Sequence, residues 1–106
     1  MKSEISIKGD GTKIWRTSDR TVHREDGPAV EWADGDMWWM LNNRLTRFDG
    51  PAIIRTSPAH GNDWYLFDYR IDEDIYRQFL LDHGMDIENL TAEDKLFIEF
   101  AWRKTP

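Results

Sequence analysis

The chain has 106 residues, of which 40% are hydrophobic and 32% are charged, and its formal net charge at pH 7 is −6. This length is that of one domain of modest stability. The absence of cysteine excludes disulfides and thiolate metal sites, and it fits a reducing cytoplasm. No stretch approaches the roughly 20 apolar residues that span a bilayer. Aromatic residues make up 13% of the chain and include six tryptophans, so the chain can bury enough surface to fold.

The negative charge is concentrated in the last third of the chain. Residues 1–71 carry 11 acidic and 10 basic side chains, whereas residues 72–106 carry 9 acidic and 4 basic ones. An acidic segment of this kind repels nucleic acid and attracts a basic protein surface. The alternative interpretation is that these acids form only the solvated face of a helix.

The first two-thirds of the chain predicts short β-strands separated by turns. The predicted strands are 4–8, 12–16, 29–32, 37–41 and 51–55. The predicted turns are Gly9-Asp10-Gly11, Ser18-Asp19-Arg20, Asp34-Gly35 and Asn42-Asn43. Asp34-Gly35 is the strongest of them, because Asp-Gly suits a two-residue hairpin turn. Proline cannot donate to a strand ladder, so Pro28 and Pro51 are expected at strand starts or sheet edges.

A repeat runs through this region. The segment from His23 to Val30 returns 23 residues later as Thr46 to Ile53, with Arg, Asp, Gly, Pro and Ala identical in both copies. Trp15 recurs at the same offset as Trp38. A third, degenerate copy is predicted at 64–71, which matches 38–45 at an offset of 26, with the extra length in a loop at 57–62. Such a chain is built from stacked copies of one unit, and its shared residues are expected to serve the fold.

The shared residues have structural roles that follow from their chemistry. The residues assigned to the repeat are His23, Arg24, Asp26, Gly27, Pro28, Arg47, Asp49, Gly50 and Pro51. Aspartate caps turn amides, arginine pairs with it or stacks on a tryptophan, and glycine is expected to supply a positive φ. The catalytic interpretation is that His23, beside a carboxylate, acts as a general base. The replacement of His23 by Thr46 in the second copy favours the structural interpretation.

The last third of the chain predicts two helices. Asp72-Glu73-Asp74 opens the first, since acids favour the positive end of the helix dipole, and Gly84 is its predicted C-cap. The apolar stripe of this helix is Ile75, Phe79 and Leu80, with Tyr76 beside it. Thr91 to Asp94 resembles a capping box, with Asp94 in place of the usual Glu.

The second helix carries two apolar stripes. Its main stripe is Leu96, Phe97, Phe100 and Ala101. Ile98 and Trp102, four residues apart, form the other stripe on a different side. A surface helix needs only one apolar face, so this second stripe is either buried by the sheet or offered to a partner.

The two Asp-Gly-Pro-Ala segments resemble a family of tandem-repeat proteins whose unit reads roughly Asp-Gly-x-x-x-Trp-Tyr-x-Asn-Gly-x-x-His-Arg-x-Asp-Gly-Pro-Ala. The family is broadly similar to MORN-type β-hairpin repeats and occurs mostly in uncharacterised phage, bacterial and large-virus proteins. The resemblance covers about residues 9–72. It implies the fold and a phage-like origin, and it brings no agreed catalytic residues. The chain departs from the pattern at its turns, which read Asp19-Arg20, Asn42-Asn43 and Asp68-Tyr69.

No pattern of catalytic or metal-ligating residues is present. The histidines at 23, 60 and 83 lie in different predicted elements without metal-ligand spacing. The triplet 72–74 lacks the alternating ligands and glycine of an EF-hand calcium loop. There is no phosphate-binding glycine loop and no nucleophile elbow. The sequence therefore predicts a protein that is not an enzyme and that has no cofactor and no metal.

Arginines and tryptophans on the repeats raise the alternative of nucleic-acid binding. The arginines concerned are Arg16, Arg24, Arg44, Arg47, Arg55 and Arg70. Arginine among aromatic residues is a known nucleic-acid pattern, but a binding surface needs surplus positive charge, which the repeats lack. Stacking and ion pairing inside the protein explain the same residues. Of the adjacent pair Trp38-Trp39, one side chain can enter the core and the other is covered by the helices or exposed as a binding anchor.

We therefore predict a single α+β domain, residues 1–106. An antiparallel β-meander of repeat hairpins (1–71) is followed by two C-terminal helices packed on it (72–106). We expect a cytoplasmic, phage-type accessory protein, a monomer or homodimer in the host cytoplasm. It would bind and inhibit or modulate a host protein, such as a defence or nucleic-acid-processing enzyme with a basic groove. The alternatives are a nucleic-acid-binding module and a structural or oligomerisation module. The expected partner-binding residues are Trp39, Asp72, Glu73, Asp74, Glu93, Asp94, Ile98 and Trp102.

Overall fold

The computed structural model describes residues 2–103 and the side chains of residues 2–102. It divides into two compact units, residues 1–71 and residues 72–106. In chain order the strands are β1 (Glu4–Ile7), β2 (Lys13–Arg16), β3 (Val30–Glu31), β4 (Met37–Trp38), β5 (Met40–Leu41), β6 (Arg44–Leu45), β7 (Ile53–Ile54), β8 (Trp64–Leu66) and β9 (Tyr69–Ile71). The helices are α1 (Glu73–Asp82) and α2 (Ala92–Arg103), with one turn of 3-10 helix at Ile87–Asn89 between them. The predicted α+β class is confirmed.

The first unit is an antiparallel sheet with two short hairpins. The sheet has five strands in the order β1-β2-β3-β4-β7, and the hairpins are β5-β6 and β8-β9. The strand register aligns Ile14 with Val30, Val30 with Trp38, and Trp38 with Ile53. Ile14, Val30 and Ile53 are each at most 6% exposed, so this cross-strand row is a buried apolar stripe.

The turns of the hairpins show how the repeat is built. The first repeat hairpin, in which Arg16 pairs with Val22, closes over residues 18–20, with Arg20 at a φ of 71°. The second closes over Asn42 and Asn43, whose φ values of 52° and 65° are those of a two-residue hairpin turn. The third closes over Phe67 and Asp68, not over the predicted Asp68-Tyr69. The first turn is therefore one residue longer than the others.

This difference in turn length changes which tryptophans are equivalent. The backbone N–H of Trp15 donates to the carbonyl of Ala29, and that of Trp39 donates to the equivalent Ala52. Trp39, and not the predicted Trp38, is thus the counterpart of Trp15, at an offset of 24. The aligned turns Asn42-Asn43 and Phe67-Asp68 give an offset of 25 to the third copy, where 26 was predicted.

Helix α1 begins within the predicted acidic triplet and ends at the predicted glycine. The Asp72 carboxylate accepts the N–H of Ile75 at 3.0 Å, which caps the start of α1. Gly84 has a φ of 69°, and the N–H of Met85 donates to the carbonyl of Leu80, as in a Schellman C-terminus.

The start of α2 is a reciprocal capping box. The N–H of Asp94 donates to the Thr91 hydroxyl, and the N–H of Thr91 donates to the Asp94 carboxylate, both at 3.0 Å. Between the helices, the Trp102 ring contacts the rings of Tyr76 and Phe79 edge-on, with centroids 5.5 and 5.2 Å away. These rings join α1 and α2 into one helical hairpin.

Candidate functional site

The repeated residues form an arginine clamp. In the second copy the guanidinium carbon of Arg47 lies 4.0 Å from the centre of the Trp39 ring. Its Nε donates to Asp49 at 3.0 Å, and its Nη1 donates to the carbonyl of Pro51 at 3.1 Å. On the opposite side lies Gly50, where an added Cβ would approach the guanidinium carbon to 2.8 Å. The cation is therefore held between an aromatic face and a residue without a side chain.

The first copy builds the same clamp. Arg24 lies 4.1 Å from the Trp15 ring centre, and it donates to Asp26 and to the carbonyl of Pro28, each at 3.1 Å. A Cβ at Gly27 would come within 3.0 Å of the guanidinium carbon. The expected reason for this glycine was wrong, because the glycines with positive φ lie elsewhere. Space for the stacked guanidinium, and not a positive φ, therefore favours glycine in the Asp-Gly-Pro segments.

The histidine lost from the second copy serves as a hydrogen-bond acceptor. His23 is 5% exposed, and its Nδ1 accepts the backbone N–H of Asn42 at 3.1 Å. Thr46 is 2% exposed, and its hydroxyl accepts the N–H of Phe67 at 2.9 Å. Asn42 and Phe67 are the first residues of equivalent turns. Both side chains therefore accept from the equivalent backbone amide of the next repeat, and a hydroxyl can replace an imidazole in this role.

Successive repeats are also joined through the second residue of each turn. The carboxamide of Asn43 accepts the N–H of Val22, and the carboxylate of Asp68 accepts the N–H of Leu45, both at 2.7 Å. These bonds explain why the turns read Asn and Asp at this position, since both residues tolerate positive φ and carry an acceptor. The repeated residues thus hold the fold together.

The arginines of the repeats have partners within the protein. Besides the two clamps, Arg55 and Arg70 lie 2.7 and 3.3 Å from the two carboxylate oxygens of Asp63. Four of the six arginines that raised the possibility of nucleic-acid binding are therefore stacked or ion-paired. Such arginines present less charge to a phosphate backbone than free ones do.

The residues predicted to bind a partner are not all on the surface. Ile98 is 0% exposed and cannot contact a partner, so its assignment is corrected. Trp102 is half-buried against α1, and Trp39 is covered by its own arginine. The five acidic residues that were predicted to bind a partner have different roles.

Asp72 and Asp94 cap helices, and Glu73 pairs with Arg77 at 2.8 Å. Asp74 and Glu93 are exposed.

Three residues of the main apolar stripe of α2 are exposed. Leu96, Phe97 and Phe100 are 68%, 40% and 63% exposed, and we call these three residues the α2 face. Phe97 continues the face toward α1, where the rings of His83 and Phe79 lie 5.1 and 6.4 Å from its own.

The sequence carried no signal for the choice between the two stripes of α2. Glu93 is in register with the α2 face at i+3, i+4 and i+7, and Asp94 is in register with the buried Ile98 and Trp102 at i+4 and i+8. Each stripe thus has one acidic neighbour, and composition does not distinguish them.

Within the described residues, no group of three or more His, Cys, Asp or Glu side chains is arranged to hold a metal ion. None of the described helices combines the length and the apolar character needed to cross a membrane. Comparison with protein-family models, with curated proteins and with solved structures found no match to this chain.

Proposed function

We propose that this chain is a small accessory protein without enzymatic activity that binds another protein through its helical unit and modulates it. The observation that carries the proposal is the α2 face, on which Leu96, Phe97 and Phe100 are 68%, 40% and 63% exposed. Contiguous apolar surface rimmed by polar residues is typical of interaction sites. Aromatic side chains are enriched among the anchors of such sites.

The negative charge around the α2 face favours a partner with a basic surface. The segment 72–106 carries 9 acidic and 4 basic side chains, and Glu93 is exposed on the same side of the helix as the α2 face. A basic amphipathic segment complements this surface, because its apolar residues cover the α2 face and its lysines or arginines meet the surrounding acids. A host enzyme that handles nucleic acid carries such basic surfaces, and inhibition would follow if the acidic helices occupied its groove.

The non-enzymatic part of the proposal rests on the residues that chemistry would need. Nδ1 of His23 is engaged by a backbone amide, and its Nε2 lies 3.3 Å from Glu25. Asp26 and Asp49 hold arginines in the clamps. A general base has to reach a substrate proton, and these groups are committed to the fold.

Affinity capture with matched variants tests the proposal. The protein, the double variant Leu96→Ser/Phe100→Ser and the control Tyr69→Ser are each used to capture proteins from a bacterial lysate. Tyr69 is 75% exposed on β9 and serves as a large exposed side chain outside the helices. We expect one partner to bind the protein and the control, and to be lost with the double variant and at high salt. Its affinity for the purified protein is then measured by calorimetry. Equal capture by the double variant would contradict the proposal.

A structural or oligomerisation role is the second candidate. Strand β1 lies at the edge of the five-stranded sheet, and its Ile5 and Ile7 are 49% and 63% exposed. An exposed apolar edge strand is a template for pairing with another chain. Light scattering of the protein and of an Ile7→Lys variant checks this, since edge pairing predicts a concentration-dependent dimer that the variant abolishes.

A further inference from the structure

A cavity of about 410 Å³ lies between the turns of the first and second repeats. Two tryptophans, Trp32 and Trp38, and three aspartates, Asp10, Asp34 and Asp36, line most of it. We call it the Trp–Asp cavity. It is remote in sequence from the α2 face, and the function proposed above makes no use of it.

The two rings form adjoining walls. Their centroids are 5.1 Å apart and their planes meet at 69°, so they enclose a corner and do not form one flat platform. Trp32 is 38% exposed, whereas Trp38 is half-buried in the cross-strand row of the sheet. One ring is thus anchored and the other is open to a ligand.

The three carboxylates are positioned by the hairpin turns. The Oδ1 atoms of Asp10 and Asp34 each accept a backbone N–H two residues on, at 2.9 Å, and Oδ1 of Asp36 accepts the N–H of Thr56 at 2.9 Å. None of the ion pairs among the described side chains includes these aspartates. These three carboxylates are therefore outside the close ion pairs of the described side chains, although the charge of Lys8 acts on Asp10 from farther away.

The carboxylate of Asp10 is ionised at neutral pH. Hydrogen bonds from the backbone N–H and the hydroxyl of Thr12 lower the pKa of Asp10 below its ordinary value of 3.8. Asp10 therefore supplies a negative charge to the lining of the cavity at neutral pH.

The cavity is not a requirement of the repeat. Trp38 stands at the position of Ile14, at the same offset of 24 that relates Trp39 to Trp15. Trp32 stands at the position of Arg55, since the next residues, Ala33 and Thr56, make equivalent amide bonds to the preceding turn. The aromatic walls therefore occur only where the first and second repeats meet. Residues that differ between copies are free to serve a ligand.

We propose that the Trp–Asp cavity binds an alkylammonium group of trimethylammonium size. A cation placed within about 6 Å of a tryptophan face is attracted by the ring, and aromatic corners of this type bind quaternary ammonium groups. The surrounding carboxylates add attraction that a neutral ligand does not receive. The group could belong to a free molecule such as choline or to a trimethylated lysine side chain, and both present the same head group.

Titrations followed by tryptophan fluorescence and by indole N–H resonances test the site. The probes are choline, its neutral isostere 3,3-dimethylbutanol, Nα-acetyl-trimethyllysine, Nα-acetyl-lysine and glucose. We expect choline to bind with a dissociation constant on the order of 1 mM, and the neutral isostere to bind at least about tenfold more weakly. Tighter binding of trimethyllysine than of choline would identify a protein side chain as the source, and the reverse would identify a free ligand.

Two variants separate the ring from the charges. Trp32→Ala removes the open wall and is expected to weaken choline binding at least about tenfold. The triple variant Asp10→Asn/Asp34→Asn/Asp36→Asn keeps every hydrogen-bond acceptor and removes the charge, so the turns persist while binding falls. Asp86→Asn is the matched control, because Asp86 makes the same bond to the N–H of Glu88, at 3.0 Å, in the helical unit.

Three results would overturn the site. These are equal binding of choline and the neutral isostere, choline binding that survives in Trp32→Ala, and binding of glucose as tight as that of choline. The last would identify a carbohydrate platform instead. The dispersion of the NMR spectrum reports whether each variant is folded.

Discussion

Arg47 stacks on Trp39 with its guanidinium carbon 4.0 Å from the ring centre, although the simplest alignment of the repeats selects the neighbouring Trp38. The adjacent residue has the opposite role, since Trp38 lines a cavity with Trp32. These two adjacent residues therefore have different roles. Trp39 belongs to the framework of the repeat, and Trp38 lines a candidate ligand site. The clamp leads directly to a test of the fold.

Gly50→Ala is expected to lower the free energy of unfolding by about 1–3 kcal/mol, because the new Cβ would lie 2.8 Å from the guanidinium carbon of Arg47. Gly9→Ala is the control. Nothing lies within 4 Å of a Cβ at Gly9, so its stability should be unchanged or slightly higher. Urea denaturation measures both. In an Arg47→Ala background the cost of Gly50→Ala should fall, and an unchanged cost would refute the clamp.

Thr46→Val should destabilise the protein by about 1–3 kcal/mol, because the part-buried N–H of Phe67 loses its acceptor while side-chain volume is kept. Thr46→Ser keeps the hydroxyl and should cost less. The comparison is made by thermal and urea unfolding, with amide hydrogen exchange at Phe67 as the local readout. If Val and Ser have equal effects, the hydroxyl is not the acceptor that replaces His23.

Ile98→Ala is expected to cost about 2–5 kcal/mol, since Ile98 is 0% exposed and its truncation leaves a cavity. Leu96→Ala, two residues away and 68% exposed, should change stability by less than about 0.5 kcal/mol. Denaturation of the two variants decides which stripe of α2 faces inward. A larger cost for Leu96→Ala would reverse the assignment of the faces and remove the basis of the proposed function.

Stability should fall at acid pH as Asp19 is protonated. Hydrogen bonds from the hydroxyls of Thr17 and Thr21 and from the N–H of Thr21 lower the pKa of Asp19 below its ordinary value of 3.8. A depressed folded pKa gives stabilisation that is present above 3.8 and is lost as pH falls through the folded value.

The difference in the free energy of unfolding between the protein and Asp19→Asn should therefore shrink as the pH falls below 3.8. NMR titration of Thr17→Val should show the pKa of Asp19 moving upward, and an unmoved value would exclude Thr17 as the main donor.

Local features of the fold follow closely from the sequence. The helix end at Gly84, the capping box from Thr91 to Asp94 and the turn at Asn42-Asn43 are confirmed, and α1 begins within the predicted acidic triplet, with Asp72 as its N-cap. Each depends on bonds within a few residues, so the residues that make them are adjacent in the chain. The packing of the helices on the sheet, the family resemblance and the protein-binding role stay predictions.

The predictions that were wrong concern features that depend on residues far apart in the chain. The equivalence of Trp15 with Trp39 depends on a turn one residue longer in the first hairpin, and a shift of one residue moves a strand's side chains to the other face. The third turn lies at Phe67-Asp68, where the N–H of Leu45 donates to the Asp68 carboxylate and the Thr46 hydroxyl accepts the N–H of Phe67. Phe is not a residue that sequence rules place in a positive-φ turn.

The sequence by itself determined the α+β fold class, the presence of a repeat, the ends of the helices and the acidic helical segment. Composition and short-range hydrogen bonding suffice for these features. Only the tertiary structure decided which stripe of α2 is buried, which tryptophan each arginine covers, and that Trp32, Trp38 and three aspartates share one cavity. Those outcomes depend on strand register and on packing between residues far apart in the chain, and no local pattern encodes the contacts that select among apolar faces.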